Sequence, residues 1–539
     1  MCIDKKQSLS VVDFYANKTI LITGSTGSIG QLLLEKLLRE CSNVKRIYLI
    51  IRSKKSLSSQ QRLKKMFSTS LLFEHHSLDK VYAIDGDLCQ DNLGISDENY
   101  QKLCQEVQIV FHSAACVKFN GILGTFIEQN VKGTNRLMSL CEKMLKIESI
   151  VHVSTAFSNC LQKCVEEKIY SPPFDLSEWP DVDLFLKMLE KNFAHLAVKN
   201  EHPILNGHPN PYTFTKAITE WLVDQKYGHL PVIICRPSIV ASTYREPLRG
   251  WMDKFFGYSG MYSLISTGIA RSVIINLECK AEIIPADYVV NSLLICAAYR
   301  ASTMFDYSKK VVHQTSCPEN SITWQQMNDE TFVYENKIPT TKLIRPVKKK
   351  FSNKYQTNWD KLCYVWTKLF NHYPFALFID FICLITGNRP FLMRLTRIMH
   401  STSEELVFFS TKNWCFQYKN NMEIYHLIDE RERALFNCDY NTIDWPDFCY
   451  QTLIGGRRYL LKEPDSNIEQ AKRRRKLLHL SYEFIYFCRN LFIIWIINTF
   501  IGEKILPLSS SSSAIIIENI LLLFNKINLF VLNTCVFVY

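Results

Sequence analysis

Short apolar runs alternate with longer segments of helical periodicity along the first 155 residues of the chain. The runs are largely apolar or β-branched, which is typical of parallel strands buried on both faces. We predict five such strands, at residues 19–22, 46–52, 81–84, 109–112 and 150–153. Helices are predicted between them at residues 31–40, 56–73 and 130–141. The alternation predicts an α/β fold of the Rossmann type, with a doubly wound parallel sheet.

A glycine-rich turn follows the first predicted strand directly. Gly24, Gly27 and Gly30 have the spacing GxxGxxG, and a helical segment begins immediately after them. In a dinucleotide-binding turn the first glycine permits the sharp turn, the second lets the backbone approach a pyrophosphate, and the third lets helix and strand pack closely. The alternative is a glycine-rich loop without a ligand, which the flanking strand and helix disfavour. The predicted cofactor contacts are eight consecutive residues, Thr23, Gly24, Ser25, Thr26, Gly27, Ser28, Ile29 and Gly30.

The residues that follow the next three strands bear on which dinucleotide binds. The second strand ends at Arg52, where an NAD-preferring site usually has an acidic residue for the ribose 2′-hydroxyl. A cation suits the 2′-phosphate of NADP, so NADPH is the predicted cofactor, and the alternative is a solvated loop charge. Asp87 and Leu88, after the third strand, are predicted to lie near the adenine. Ala114 and Ala115, after the fourth, leave room for a cofactor across the sheet edge.

Four residues form a candidate catalytic group for carbonyl reduction. Ser154 and Thr155 follow the fifth strand, and Tyr212 and Lys216 have the spacing YxxxK, which places both on one face of a helix. We expect the tyrosine to donate a proton to a carbonyl oxygen, while the hydroxyl of Thr155, or as second choice Ser154, positions that carbonyl. The nearby ammonium and the charge of the cofactor are expected to lower the pKa of Tyr212 from its usual value of about 10.

Composition excludes several other classes of protein. The chain has 539 residues, 47% of them hydrophobic, so it is too long for one core and too apolar for a disordered chain. A formal net charge of +11 permits an anionic partner, but the basic runs at 348–350 and 472–476 accompany no nucleic-acid motif, so we expect no nucleic-acid partner. No metal motif is present, and none of the 19 cysteines has CxxC spacing. We therefore predict no metal site and mostly reduced thiols facing the cytosol.

The last third of the chain carries three apolar segments. Residues 362–394 are rich in aromatic side chains, and we interpret them either as an amphipathic or partly inserted segment or as a buried core helix. Residues 484–501 are about 18 positions, apolar apart from Arg489, Asn490 and Asn498, and are close to the length needed to span a bilayer. The basic run at 472–476 would keep the body of the protein in the cytosol. A buried soluble helix is the alternative there, and the apolar tail at 514–539 stays unassigned.

Several motifs together resemble one known family. The segments TGSTGSIG, VSTAFSN and PYTFTKA are similar to the extended short-chain dehydrogenase/reductase superfamily. Residues 443–445 and 456–459 extend the likeness to eukaryotic, insect-like fatty acyl-CoA reductases over nearly the whole chain. The resemblance implies a reductase domain at 1–330, a linker at 331–360 and a mainly helical C-terminal domain at 361–465. Ser28, Gln31, Lys254 and Ala286 stand where that family usually has other residues.

The resemblance also implies residue roles and an activity. Tyr212 would be the proton donor, and Lys216 would also hold the nicotinamide ribose. Arg236, Pro237 and Ser238 would line the nicotinamide. The implied reaction is NADPH-dependent reduction of long-chain fatty acyl-CoA to a primary fatty alcohol, with release of CoA. Membrane lipid would be a partner, at the endoplasmic reticulum or peroxisome, with the catalytic domain facing the cytosol. The alternatives are an extended reductase acting on a sterol or other lipid carbonyl, and an inactive cofactor-binding scaffold.

Overall fold

A computed structural model describes residues 8–54, 56–178, 181–193, 195–198, 202–255, 257–349 and 352–497. The main sheet has seven strands: β1 (Thr19–Thr23), β2 (Arg46–Ile51), β3 (Val81–Asp85), β4 (Ile109–His112), β5 (Ser149–Val153), β6 (Val232–Pro237) and β7 (Val311–Gln314). The α-helices are α1 (Val11–Tyr15), α2 (Ser28–Glu40), α3 (Ser59–Thr69), α4 (Asp97–Glu106), α5 (Leu123–Phe126), α6 (Gly133–Cys141), α7 (Val182–Phe193), α8 (Pro211–Tyr227), α9 (Gly257–Ser266), α10 (Ala286–Ala301), α11 (Trp324–Lys337), α12 (Asn358–Thr367), α13 (Tyr373–Ile385), α14 (Leu392–Glu405), α15 (Val407–Ser410), α16 (Lys419–Tyr425), α17 (Trp445–Gly455) and α18 (Ile468–Ile497).

The seven strands form one parallel sheet in the order β3-β2-β1-β4-β5-β6-β7. The predicted α/β class with a doubly wound parallel sheet is confirmed. Strands β1, β4 and β5 lie at the centre and are buried along their whole length, which explains why their sequences are continuous apolar runs without alternation. Because the order reverses between β1 and β4, a crevice opens there at the carboxyl ends of the strands, where such sheets bind ligands.

The chain forms two compact units, each made of three segments. The first contains residues 8–253, 280–322 and 413–452, and it includes the whole parallel sheet. In this unit α4, α6 and α8 contribute to one apolar core against the sheet, and α10 packs against α2 and the strands β5 and β6. The second unit contains residues 254–279, 323–412 and 453–497, and it is mainly helical. The linear division into domains at 330, 360 and 465 stays a prediction.

The second unit contains a candidate membrane segment. Helices α12 and α13 join through a π-helical turn at Lys368–His372 into one continuous stretch, Asn358–Ile385. Its 28 residues are long and apolar enough to cross a bilayer, since 18 consecutive residues within it have a mean hydropathy of 1.3. This stretch coincides with most of the segment predicted as amphipathic at 362–394. The span predicted at 484–501 begins within α18 and ends outside the described residues, as does the whole tail at 514–539, so both stay predictions.

Most described cysteines carry free thiols, with one exception. A disulfide joins Cys164 to Cys415 in the first unit, and fifteen other cysteines in the described ranges are free. The pairing arises because Val165 and Phe416 form a parallel β-bridge, which holds the neighbouring Cα atoms of the two cysteines 4.6 Å apart. The general expectation of reduced thiols therefore misses this pair, whose residues are 251 positions apart in sequence.

Candidate active site

The glycine-rich turn between β1 and α2 is sterically closed to larger residues. Gly24 has φ +75°, and a Cβ atom there would lie 2.7 Å from the backbone nitrogen of Ala114. A Cβ at Gly30 would lie 2.4 Å from the carbonyl oxygen of Gly24. Both distances are far below van der Waals contact, so the turn packs against itself and against the loop after β4. The first and third glycines thus have the structural roles that their spacing predicts.

This turn has unsatisfied donors suited to a pyrophosphate. Helix α2 begins after Gly27, and no side chain caps its first turn, so its N–H groups point to the crevice. The hydroxyl of Ser25 is buried and has no hydrogen-bond partner among the described residues. Buried polar atoms are rarely left unpaired. The turn therefore fits a nicotinamide dinucleotide, with Thr23 on the preceding strand fixed by a 2.7 Å contact between its Oγ1 and Nδ1 of His112.

The structure brings Arg52 and Asp87 to the same corner of the sheet. Arg52 directly follows β2 and Asp87 follows β3, and Nη1 of Arg52 lies 3.7 Å from Oδ2 of Asp87. The arginine side chain is 57% exposed, so its guanidinium is available to an anion in the crevice. The carboxylate also accepts a 3.0 Å bond from the backbone nitrogen of Cys89, which fixes the loop containing Leu88. Arg52 and Asp87 both lie on the side of the glycine-rich turn where β2 and β3 end.

Small residues border the crevice after β4. Ala114 and Ala115 are half-buried, and the backbone nitrogen of Ala114 lies 3.4 Å from Oγ1 of Thr23. The loop continues to Cys116, whose backbone nitrogen and oxygen bond with the side-chain amide of Asn130 at 2.7 and 3.2 Å. Asn130 is buried in the π-helical turn Ile127–Lys132. The alanines are therefore held in place by a residue that the sequence pattern did not single out.

Helix α8 presents the predicted catalytic pair. Its first turn is fixed by Pro211 and by the side chain of Asn210, which accepts a 2.9 Å bond from the backbone nitrogen of Thr213. Lys216 is buried, and its Nζ donates a 2.7 Å hydrogen bond to the carbonyl oxygen of Val153 at the end of β5. Burial lowers the pKa of Lys216 to about 8, although the carboxylate of Glu220 opposes that effect.

Tyr212 faces the hydroxyl of Thr155. The Thr155 hydroxyl lies near enough to the phenol to lower its pKa, and Thr155 Oγ1 lies 3.4 Å from the carbonyl oxygen of Pro237. Burial nevertheless raises the pKa of Tyr212 to about 12, because the Thr155 hydroxyl only partly offsets the loss of solvent. The predicted lowering of this pKa is therefore wrong for the chain itself, because removal from water outweighs the ammonium one helical turn away. Tyr212 keeps its proton throughout the neutral range.

Ser154 has a different partner from Thr155. Its hydroxyl donates to the carboxylate of Glu220, which also accepts from Ser158 at 2.9 Å and from Arg236 Nε at 2.9 Å and Nη2 at 2.6 Å. Both ends of the Glu220–Arg236 ion pair are almost completely buried. The geometry therefore distinguishes the two candidates: Thr155 contacts the tyrosine, and Ser154 belongs to a buried network that fixes the end of β5.

Comparisons with known proteins agree with this arrangement. Two family models described as male sterility protein match residues 22–293, the NAD-binding part, and residues 371–463. The fatty acyl-CoA reductase wat of Drosophila melanogaster is 33% identical over 492 residues, covering 89% of this chain and 91% of that relative. Fatty acyl-CoA reductase 1 of Xenopus laevis is 32% identical over 490 residues, covering 88% and 91%. The chain belongs to the fatty acyl-CoA reductase family.

Solved structures add evidence on the fold of this fatty acyl-CoA reductase homologue. The reductase domain of a nonribosomal peptide synthetase from Mycobacterium tuberculosis matches with a TM-score of 0.54 at 16% identity, covering 85% of this chain and 96% of that chain. The terminal R domain of the myxalamid pathway matches with a TM-score of 0.53 at 17% identity, covering 83% and 93%. At this identity the likeness shows a shared reductase-type fold.

Two positions that depart from the family pattern, Ser28 and Gln31, contact Asp253 at the start of α2. The carboxylate of Asp253 accepts a hydrogen bond from Ser28 Oγ and another, 3.2 Å long, from Gln31 Nε2. A negative charge thus lies at the helix end that the pyrophosphate is expected to occupy. No sequence motif predicts this contact, because 222 residues separate Gln31 from Asp253.

The Glu220–Arg236 pair was also missed, although the sequence contains a signal for it. Tyr212, Lys216 and Glu220 are spaced four residues apart, so all three lie on one face of α8. A buried carboxylate on the helix face that carries Tyr212 and Lys216 requires a cationic partner. Among the described residues, no group of three His, Cys, Asp or Glu side chains is arranged to hold a metal ion.

Proposed function

We propose that this protein reduces long-chain fatty acyl-CoA to a primary fatty alcohol, with NADPH as reductant and release of CoA. The observation that carries the proposal is that Tyr212, Thr155 and the buried Lys216 lie together at the carboxyl edge of a sheet whose glycine turn fits a dinucleotide. The relatives named fatty acyl-CoA reductases support the choice of substrate. No described feature specifically favours a sterol or another lipid carbonyl.

The proposed reaction takes two reductions. NADPH supplies one hydride to the carbonyl carbon in each. In the first, the C–S bond of the thioester breaks, and an aldehyde and CoA thiol form with consumption of one proton. In the second, the aldehyde oxygen takes a proton and becomes the hydroxyl of the alcohol. The same proton donor can serve both reductions if the aldehyde stays in place.

The residues of the chain have separable parts in this scheme. Thr155 orients the carbonyl oxygen towards Tyr212, and Tyr212 transfers its phenolic proton to that oxygen. The pKa of about 12 means that this group is protonated at neutral pH, which a donor requires. Lys216, bonded to Val153, places a positive charge one helical turn from the phenol and stabilises the tyrosinate that the transfer leaves.

Arg52 is the basis for proposing NADPH over NADH. Its exposed guanidinium follows β2, the position at which dinucleotide folds discriminate the ribose 2′-group. A 2′-phosphate would gain a charge-assisted bond, whereas a 2′-hydroxyl would gain little. Asp87 holds the arginine at 3.7 Å, a distance at which the cation can still turn to a phosphate.

Membrane attachment completes the proposal. Long acyl chains partition into lipid, with about 0.8 kcal/mol for each buried methylene, so an enzyme at the bilayer meets its substrate there. We place the protein at the endoplasmic reticulum or peroxisome, anchored by residues 484–501, with the catalytic domain facing the cytosol. The basic run at 472–476, on α18, supports that orientation.

The test is expression of the full chain in microsomes, with acyl-CoAs of several lengths and NADPH, followed by chromatography of the products. We expect fatty alcohol from long-chain substrates and loss of nearly all activity in Tyr212→Phe, since removing a general acid costs about 10²–10⁴-fold in rate. Tyr307→Phe, at an exposed tyrosine, is the matched control. Reduction of a sterol ketone without acyl-CoA reduction, or an active Tyr212→Phe variant, would refute the proposal.

A further inference from the structure

The helical segment Asn358–Ile385 in the second unit has polar side chains on its buried side and apolar ones on its exposed side. The side that packs on the unit carries Tyr364, His372 and Asp380, all buried. The Tyr364 hydroxyl lies 2.7 Å from Nδ1 of His400, and Nδ1 of His372 lies 3.0 Å from Nε2 of the same ring. In a water-soluble amphipathic helix the buried stripe would be apolar. Here directional polar contacts hold the helix to its unit, beside one apolar contact in which the buried Ala376 packs with Ile269 and Leu392.

The opposite side of this segment is apolar and exposed. Large side chains recur there every three to seven residues, and each is 55–70% exposed. This outer face consists of Trp359, Leu362, Trp366, Phe370, Leu377 and Phe381. A contiguous apolar surface of several large side chains marks a contact with protein or lipid.

The chain returns to the same unit directly after this segment. Gly387 has φ +73°, which permits a tight reversal after Ile385. The carboxylate of Asp380 then accepts bonds of 2.8–2.9 Å from the backbone nitrogens of residues 391–393, so it caps α14 against α13. Leu392 and Met399, on α14, are buried within the second unit. Both ends of the apolar segment are therefore held on one side.

Charge near the outer face is mostly positive. Between residues 358 and 400 the acidic residues are Asp360 and Asp380, and each caps a helix N-terminus. The same stretch contains five basic residues, Lys361, Lys368, Arg389, Arg394 and Arg397, of which Lys368 is paired with Glu404 at 2.7 Å. Such a surface complements anionic lipid headgroups, whose potential attracts Lys and Arg.

We propose that Asn358–Ile385 lies in the plane of an anionic membrane leaflet, with its outer face in the acyl region, and does not cross the bilayer. By length and composition alone the segment passes as a span. A crossing would carry Arg345 to bilayer depth, because Arg345 Nη1 donates a 3.0 Å bond to Asn371 and its guanidinium stacks 4.3 Å from the Phe375 ring. An in-plane position leaves those groups on the aqueous side and buries the apolar ones.

The test measures the depth of two positions on the outer face in the full-length protein. The protein is reconstituted in vesicles of phosphatidylcholine and phosphatidylserine that contain lipids brominated at a shallow or a deep acyl position. Tryptophan quenching is compared between the native chain, Trp366→Phe, and Trp366→Phe with Leu377→Trp. In a crossing helix the two indoles would differ in depth by about 16 Å, at 1.5 Å per residue. In an in-plane helix they lie at equal depth.

We expect shallow bromines to quench both positions equally. Leu145→Trp, on an exposed site of the first unit, is the control that should not be quenched. Depths that differ by about 16 Å would establish a span and overturn the proposal. Absence of quenching at both positions would also overturn it, since the outer face would then be covered by protein, such as a second copy of the chain.

A charge variant tests the choice of lipid. Arg389→Glu with Arg394→Glu reverses two exposed charges beside the outer face and leaves its apolar residues unchanged. We expect quenching to fall severalfold in vesicles with phosphatidylserine and to stay unchanged in phosphatidylcholine alone. An equal fall in both lipids would refute the role of anionic headgroups. The measurement is independent of catalysis, so it stands whether or not the proposed reaction is correct.

Discussion

The pH dependence of the reaction offers a sharp test of the site, because Lys216 and Tyr212 titrate far apart. Burial lowers the pKa of Lys216 to about 8 and raises that of Tyr212 to about 12. Between pH 7 and pH 9 the phenol therefore keeps its proton while the ammonium loses its charge. We expect the alkaline fall in activity to follow Lys216.

The size of the fall comes from the same value. With a pKa of about 8, Lys216 is about 90% charged at pH 7 and about 10% charged at pH 9. If only the charged form supports proton transfer, kcat/KM falls about tenfold over that interval, and it reports the pKa of the enzyme before acyl-CoA binds. The assay follows NADPH consumption at saturating cofactor and limiting acyl-CoA, at several pH values.

Lys216→Arg tests whether loss of the positive charge at this position causes the alkaline fall in activity. Arginine stays protonated above pH 12, so the ratio of kcat/KM at pH 7 to that at pH 9 should approach one, even if overall activity is low. Lys226→Arg, at an exposed lysine of the same helix, should keep the fall of about tenfold. If Lys216→Arg showed the same fall as the native chain, another group would control the alkaline limb.

Three further substitutions test the surroundings of the site. Glu220→Gln removes the carboxylate that pairs with the buried guanidinium of Arg236, so we expect the free energy of unfolding to fall by about 3–5 kcal/mol. Thermal unfolding measures the loss, with Asp183→Asn in an exposed ion pair as the control, and an unchanged midpoint would contradict the expectation. Asp253→Asn removes a negative charge from the start of α2 and should tighten NADPH binding severalfold in a fluorescence titration, whereas weaker binding would mean that the carboxylate assists the cofactor. Arg52→Ala should weaken NADPH about tenfold and leave NADH unchanged, and equal losses would show that Arg52 does not contact the 2′-phosphate.

The central sheet was predictable because burial on both faces leaves a strong signal. The five predicted strands correspond to β1–β5 within one or two residues at each end. Strands β6 and β7 were not predicted, although both are buried. Each follows a long connection, and the polar residues Arg236, His313 and Gln314 interrupt their apolar runs. Those side chains are buried with partners supplied by distant segments.

Helix boundaries were less predictable than strands. The helix predicted at 130–141 begins earlier in the structure, at Leu123, and contains the π-helical turn Ile127–Lys132. A π turn adds a residue to the repeat, so a period of 3.6 loses register there. The turn places Asn130 beside Cys116 and Thr215, contacts that a local pattern cannot contain.

The catalytic pair was predictable from the sequence, whereas the buried residues that support it were not. Tyr212 and Lys216 are one helical turn apart, so their spacing alone indicates that they share a face. The discrimination of Thr155 from Ser154 depends instead on Glu220, because its carboxylate engages the Ser154 hydroxyl and leaves Thr155 for the tyrosine. Two adjacent hydroxyl residues on an extended chain point to opposite sides. The sequence indicates that one of them faces the site, and the packing of α8 decides which.

The segment at 362–394 shows why hydropathy leaves two alternatives open. An average over a window counts Asp380 and His372 as polar interruptions and the aromatic residues as apolar content, and it discards the direction in which each points. In the structure the interruptions all lie on the side that packs on the second unit, where His400 and the first backbone nitrogens of α14 satisfy them. Neither a buried core helix nor a span has that arrangement, since the first requires an apolar inner stripe and the second requires polar groups paired within the bilayer. A helix with polar contacts inward and aromatic side chains outward suits the interface between water and the acyl region of the lipid. We therefore place it at the surface of a leaflet.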